Sequence, residues 1–375
     1  MSPARVSFLD LHLAEDAADV EGAIKRVLDR GWFVLGPEVD AFEREFAAAC
    51  GTPHAIGTGT GTDAIALLLR AVGVGSGDDV ITTPLSAAYT ALAIVMIGAR
   101  PVFADLDPER LTLDPAAAER AITPRTAALL PVHLYGQPAD MPALAALAQR
   151  KGLALVEDCC QAHLATCAGR PIGTFGAGGA FSFYPTKNLG ALGDAGAVIT
   201  GDAALADRIR RLRNGGQADR HRHIDTGVNS RLDEIQAAVL RARLPRLQKH
   251  TATRRAMAAA YRRQLADAPV HVPRELDQGH VYHLFPVRTN MRSALQAHLT
   301  AAGVETLVHY PIPIPRQQAF APFDPSDCPI ADRICDEVLS LPMHPRLGAS
   351  ELSLVAEAVR SFPGGLSGNE RERVS

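Results

Sequence analysis

The sequence predicts an α/β fold: a mostly parallel central sheet flanked by helices, followed by a smaller α+β C-terminal domain. Two observations carry this. From about residue 53 to 200, short apolar runs alternate with segments of helical periodicity, the pattern that parallel βα units leave in a sequence. From about residue 229 the pattern changes to long helical stretches, then to Pro- and Gly-containing segments with α+β character up to about Phe362. The 375 residues suit two domains and can bury a sizeable core. The expected division is a large domain over 1–245, a small one over 246–363, and a polar, charged and disordered tail over 364–375.

The elements follow in order. In HAIGTGTGTDAIALLL (54–69) a strand, a glycine turn and a helix start succeed one another. That helix is expected over Thr62–Val72, with Ile65, Leu68, Leu69 and Val72 on one face. Further strands are expected at Val80–Thr83, Pro101–Ala104, Ala127–His133, Leu153–Glu157, Ala180–Phe183 and Gly196–Thr200, with a helix at Met141–Lys151. Such a sheet is covered on both faces and places ligands at the carboxyl ends of its strands. Asn229 and Ser230, with Asp233 and Glu234, read as a helix N-terminus ahead of Leu232, Ile235, Val239 and Leu240. An arginine-rich helical stretch then runs to about Leu265.

Composition excludes several function classes. Lys+Arg number 38 against 41 Asp+Glu, a net charge of −3, so no global basic field invites nucleic acid. The basic run Arg208, Arg210, Arg211 and Arg213 reads as a solvated helix face. No apolar run reaches the ~18 residues of a membrane span, and the acidic start MSPARVSFLDLHLAEDAADV is unlike a signal peptide. The six cysteines, Cys50, Cys159, Cys160, Cys167, Cys328 and Cys335, show no CxxC pairing. They suit a reducing cytoplasm; no metal is expected. Cys159 and Cys160 follow a strand and could be reactive, but buried small hydrophobes is the better reading.

The chemistry centres on FSFYPTKNLGALGDAGAVIT (181–200), where Lys187 stands just past a strand, with Ser182 before it and Gly190, Gly193 and Gly196 after. A lysine in a glycine-rich loop is commonly a surface residue or a phosphate contact, but no GxxxxGK[ST] is present. Its company decides. Asp158 ends the strand GLALVE and is followed by Cys159, Cys160, Gln161, Ala162 and His163. Alone, Asp158 could be a helix cap. A lysine for an imine and a carboxylate against a pyridine nitrogen are the pair that pyridoxal phosphate (PLP) requires. The glycine turn at 57–61 leaves backbone N–H groups for an anion; without GxGxxG spacing it suits a lone phosphate better than a dinucleotide.

With these residues in hand, the chain resembles the sugar aminotransferases of the DegT/DnrJ/EryC1/StrS family, over about residues 8 to 360. The matching segments are PVHLYGQPADM (131–141), EDCCQAHLA (157–165), FSFYPTKNLGALGD (181–194), RNGGQ (213–217), GVNSRLDEIQAA (227–238), HYPIPIP (309–315) and LSLPMHP (339–345). The resemblance implies the PLP-dependent transferase fold type I, that of aspartate aminotransferase. It implies that Lys187 forms the imine and shuttles the proton, Asp158 pairs with the pyridinium nitrogen, and Gln161 lies by the 3′-oxygen. Ser182, Gly61 and Thr62 hold the phosphate, Asp63 contributing backbone. Asn229 reaches the cofactor phosphate of the neighbouring subunit of a homodimer. His163, Tyr184, Asn188, Asn214, His309 and Tyr310 fall near the sugar-nucleotide pocket.

Two departures stand out. The family's ring-stacking aromatic is replaced by Ala88 in PLSAAYTALAI, so the stacking passes to Tyr89, a flat partner for a flat ring. Many relatives read HYPxPLH where this chain has HYPIPIP and lacks the final histidine, which leaves the substrate open. The expected reaction is transfer of an amino group from L-glutamate or L-glutamine to a keto-sugar, nucleotide-linked. A keto-cyclitol acceptor is the near alternative, and a non-catalytic regulatory protein on the same scaffold the distant one. A PLP-dependent sugar dehydratase would replace Lys187 with histidine.

Overall fold

The protein is described from a computed structural model, over residues 6–13, 15–323 and 327–364. Most of the expected tail thus lies outside the described residues. Two helices come first: α1 (Ala17–Arg30), closed by Gly31 in the left-handed region, and α2 (Pro37–Ala49), opened by a proline at its first turn. There follow β1 (His54–Thr58), α3 (Gly61–Ala71), β2 (Asp79–Thr82), α4 (Tyr89–Met96), β3 (Arg100–Phe103), α5 (Pro115–Arg120), β4 (Thr126–Leu130), α6 (Met141–Lys151) and β5 (Ala154–Asp158). β6 (Gly178–Ser182), β7 (Gly196–Thr200) and α7 (Ala203–Arg213) complete the large unit.

The seven strands lie in the order β1-β7-β6-β5-β4-β2-β3. All run parallel except β7, which is antiparallel to both β1 and β6. The cause is the connection from Ser182 to Gly196. It contains no helix, so it cannot make the crossover that a parallel return needs. β4 stops at Leu130, short of His133, because Pro131 has no N–H to give the ladder.

Each sheet face is covered. On one side Ile65, Leu68 and Leu69 of α3 pack with Ile94, Val156, Val198 and Ile209; on the other Phe42 and Phe46 of α2 meet Phe181 and Phe183 edge-on. The face predicted for α3 is therefore its buried one.

The expected helix at Asn229 begins later. Residues around Asn229 are extended and bridge to Asn214, and α8 spans Glu234–Arg243. Pro245 then breaks the arginine-rich stretch with a 3-10 turn before α9 (Leu247–Gln264). Beyond it, β8 (Phe285–Arg288) pairs antiparallel with β9 (Val338–Leu341). α10 (Arg292–Ala301), α11 (Pro329–Glu337) and α12 (Ala349–Arg360) complete the chain. Tyr261, Phe285, Leu295, Leu339, Leu341 and Val355 share a second core. Val6 belongs to it, because its backbone pairs with Gly303 and Glu305. The N-terminal residues assigned by sequence to the large domain therefore pack with the C-terminal unit.

Glu234 ties α8 to α2. Its fully buried carboxylate accepts the N–H groups of Gly36 (3.0 Å), Glu38 (3.0 Å) and Val39 (2.8 Å) at the start of α2. Glu234→Ala orphans all three donors and should destabilise the fold by about 3 kcal/mol, read as a lowered urea midpoint. Glu234→Gln, which keeps an acceptor, should lose less.

Candidate active site

Asp158 is the last residue of β5 and almost fully buried. A carboxylate there needs donors, and the described residues supply them: Thr90 Oγ1 at 2.8 Å and the Cys160 N–H at 3.0 Å. Thr90 is the second residue of α4, with Ser86 Oγ 3.2 Å away. Thr90 escaped the sequence reading; its only signal was its place beside Tyr89.

Lys187 sits in the β6–β7 connection, a turn closed by its own N–H on Tyr184 O (2.8 Å) and by the Ala191 N–H on Phe183 O (2.7 Å). At Gly190 a Cβ would stand 2.5 Å from Pro185 O, so the turn demands glycine. Burial pushes the Lys187 amine below its ordinary pKa; Cys160 and Asp158, close by, pull it partway back. The structure thus sets Lys187 and Asp158 close enough to interact through their charges. Beside Lys187 opens a cavity of about 270 Å³, shared with Asn188, Arg254 and the segment Leu9–His12.

The cradle lies where β1 hands over to α3. Thr60 caps the helix, its hydroxyl accepting the Asp63 N–H (3.0 Å). A Cβ on Gly61 would fall 2.5 Å from Ser182 Cβ and 2.9 Å from Cys160 Sγ, so only glycine lets the helix start press against β6. Among the described residues the N–H groups of Gly61 and Thr62 have no acceptor, which suits an anion. Asp63 does not offer its backbone as expected, since Thr60 takes that N–H. Its carboxylate instead accepts the Ser230 hydroxyl (2.8 Å), whose oxygen accepts the Gly59 N–H (2.9 Å).

Gln161 accepts the Tyr135 N–H (2.7 Å) and donates to the Tyr310 hydroxyl (3.0 Å). Burial pushes the Tyr310 phenol up to about 12. His309 stacks on Phe8 and bonds Ser340 Oγ (3.0 Å); burial first, then Lys187, brings its pKa to about 4. His163 is fully buried between Phe181 and Phe183, and its Nε2 donates to Ser182 O (2.9 Å). It stiffens the end of β6 instead of facing the open pocket. Asn188, expected at the sugar, has both ends of its amide engaged: Nδ2 on Val281 O (3.1 Å) and Oδ1 on His283 Nδ1 (3.3 Å). Tyr89 and Tyr184 are exposed, 64% and 50%. Asn229 is exposed and adjoins Ser230; Asn214 bonds Gln217 and Arg231. Sequence reading gave no role to Tyr135, although it stands in PVHLYGQPADM, and missed His283, which carries no local motif.

His133, Glu157 and Cys159 gather donor atoms within 4.8 Å of one another. The Glu157 oxygens already take the N–H groups of Gly173 and Phe175 and His133 Nε2, while His133 Nδ1 accepts the Ala139 N–H. The cluster is a hydrogen-bonded strut behind Asp158.

The profile of the DegT/DnrJ/EryC1/StrS aminotransferase family matches residues 14–360. The chain belongs to this family. Within it, the dTDP-3-amino-3,4,6-trideoxy-alpha-D-glucose transaminase of Streptomyces venezuelae is 49% identical over 367 residues, 96% of each chain. A pleiotropic regulatory protein of Geobacillus stearothermophilus is 43% identical, over 94% of this chain and 97% of its own. The crystal structure of S. venezuelae DesV in complex with a ketimine intermediate superposes with a TM-score of 0.93 at 49% identity, covering 96% of this chain and 98% of that one. Family membership agrees with the fold read from the sequence, a mostly parallel sheet flanked by helices.

Thr90→Val removes the hydroxyl that donates to Asp158. It should cut kcat/KM about tenfold, the scale of one buried hydrogen bond; Thr90→Ser should restore most of it. Steady-state kinetics of the three proteins checks this.

Proposed function

We propose that this aminotransferase uses pyridoxal phosphate to move an amino group from L-glutamate or L-glutamine to a nucleotide-linked keto-sugar, in amino-sugar biosynthesis. The observation that carries the reading is the convergence of a depressed-pKa lysine, a buried carboxylate and a helix-start cradle at the carboxyl ends of β1, β5 and β6. The residues fit the cofactor: the Gly61 wall leaves no room for a Cβ, and the N–H groups of Gly61 and Thr62 await an anion. Bound there, PLP would supply an aldehyde for amines and a pyridine ring that stores the electron pair left at an amine's α-carbon.

The chain's own residues do the rest. Gly61, Thr62 and Ser182 hold the phosphate. Asp158, oriented by Thr90 and Cys160, keeps the ring nitrogen protonated. Gln161 faces the 3′-oxygen, and Tyr89 covers the ring. Lys187, its amine made easier to deprotonate by burial, is suited to act as nucleophile and base. With the cofactor and donor bound, its free Nζ would be the base that takes the proton from the donor's α-carbon. The exposed Asn229 serves the phosphate in a second copy of the chain, so the active unit is a homodimer. Tyr184, His309 and Tyr310 border the substrate side. Six free cysteines suit a reducing cytoplasm. The names of relatives acting on dTDP- or UDP-linked sugars support this acceptor over a cyclitol. A regulatory role, which one relative's name suggests, gives no reason for Lys187, Asp158 and Gln161 all to be intact.

The test is direct. The protein should purify yellow, fade with L-glutamate and recover colour with a nucleotide keto-sugar. Borohydride should fix the cofactor to Lys187 by mass spectrometry. Lys187→Ala should abolish turnover and leave the dimer folded; a colourless wild type, or turnover in the variant, defeats the reading.

The pH dependence follows from the same amine. Only its neutral form captures an aldehyde, and its pKa lies below the usual 10.5. Capture of PLP by the cofactor-free protein should therefore rise with pH to a plateau reached below that of a free lysine, measured as the rate of colour formation in buffers of increasing pH.

A further inference from the structure

The turn bearing Lys187 is fastened to the C-terminal unit through its neighbour, Asn188. The amide's orientation is decided by its partners. Nδ2 must face Val281 O, because a carbonyl only accepts; Oδ1 then faces His283, whose Nδ1 must carry the proton. His283 is 7% exposed. Burial holds its imidazole neutral, and Lys187, Arg254, His163 and His309 around it act in the same direction.

The segment that grips Asn188 is itself pinned from three sides. The Val281 N–H donates to Gly136 O (3.0 Å) and the Leu284 N–H to Tyr135 O (3.3 Å). Arg254 Nη1 donates to the carbonyls of Tyr282 (3.1 Å), His283 (3.3 Å) and Met343 (2.7 Å). Gly136, at φ +91, leaves the close approach open: a Cβ there would meet the His283 nitrogen at 2.9 Å. Tyr135 in turn gives its N–H to Gln161. One short segment therefore serves as the common reference for the lysine turn and for Gln161.

We propose that His283 is a positioning residue for Lys187: it holds Asn188, and through it the lysine turn, against the C-terminal unit, so that Asn188 is a brace and not a substrate contact. This rests on the reading of Lys187 as the cofactor lysine. The physical need is plain. Lys187 has a long flexible stem, the other outside ties of its turn come after the lysine, from α8 (Arg243 on Gly190 O at 2.7 Å, and the Leu192 N–H on Gln236 Oε1 at 2.8 Å), and a misplacement of about 1 Å can cost about 10²-fold in rate.

The experiment uses the holoenzyme and four variants: His283→Leu, His283→Asn, Asn188→Ala and the double His283→Leu/Asn188→Ala. The readout is the single-turnover decay of the lysine-bound cofactor colour against donor concentration, which separates rate from donor affinity. His283→Leu should slow the limiting rate by about 10²-fold while the half-saturating donor concentration barely moves. His283→Asn, which can donate from nearly the same position, should regain about tenfold. The double variant should be no slower than His283→Leu, since both break one connection. Should His283→Leu fail to fold, Asn188→Ala makes the same measurement from the other end of the bond. The proposal is overturned if His283→Leu lowers only the melting temperature and leaves the limiting rate unchanged. It is equally overturned if Asn188→Ala weakens substrate binding with its rate intact. A wild type without borohydride-fixed cofactor on Lys187 defeats the functional reading instead, a separate result.

Discussion

An amine and a carboxylate, both withdrawn from water and close enough to feel each other, set the terms for everything around them. Asp158 ends a buried strand and Lys187, partly buried, sits in a turn beyond the next one, so solvent stabilises the charge of each less than that of a free group. The protein answers differently in the two cases. For the carboxylate it supplies donors, Thr90 and the Cys160 N–H. For the lysine, Cys160 and Asp158 favour the cation but burial outweighs them, and the amine is left easier to deprotonate. An amine with a lowered pKa near a fixed counter-charge follows from that unequal treatment.

The sheet topology makes the meeting possible. Because the β6–β7 connection contains no helix, β7 returns antiparallel, and the turn stays at the carboxyl edge where β1 and β5 also end. Close packing then selects residue types. Gly61 and Gly190 each stand where a single added carbon would strike a neighbour within 2.5 Å. These contacts, more than any local propensity, explain why glycines crowd this stretch of chain.

The C-terminal unit contributes by restraint. Its segment 281–284 touches Gly136, Tyr135, Asn188 and Arg254, while His309 and Tyr310 lean in against Phe8 and Gln161. The N-terminal residues join the same unit through Val6. The pocket is therefore built from three stretches far apart in sequence, and the neutral histidines among them are buried where protonation is unfavourable.

Amino-acid order alone determined the alternation of strands and helices, the order of Lys187, Asp158 and the Gly61 turn, and so the chemistry. Those features are written in local periodicity and in residue types with few other uses. Packing decided the rest. Where the helix after Asn229 begins, that His163 faces inward and that Asn188 is spent on His283, 95 residues away, depend on neighbours that only the folded chain brings together. Thr90 and His283 show the limit most clearly: each is an ordinary residue in its own stretch of chain, and gains a task only because folding sets it 2.8 Å from Asp158 in one case and 3.3 Å from Asn188 in the other.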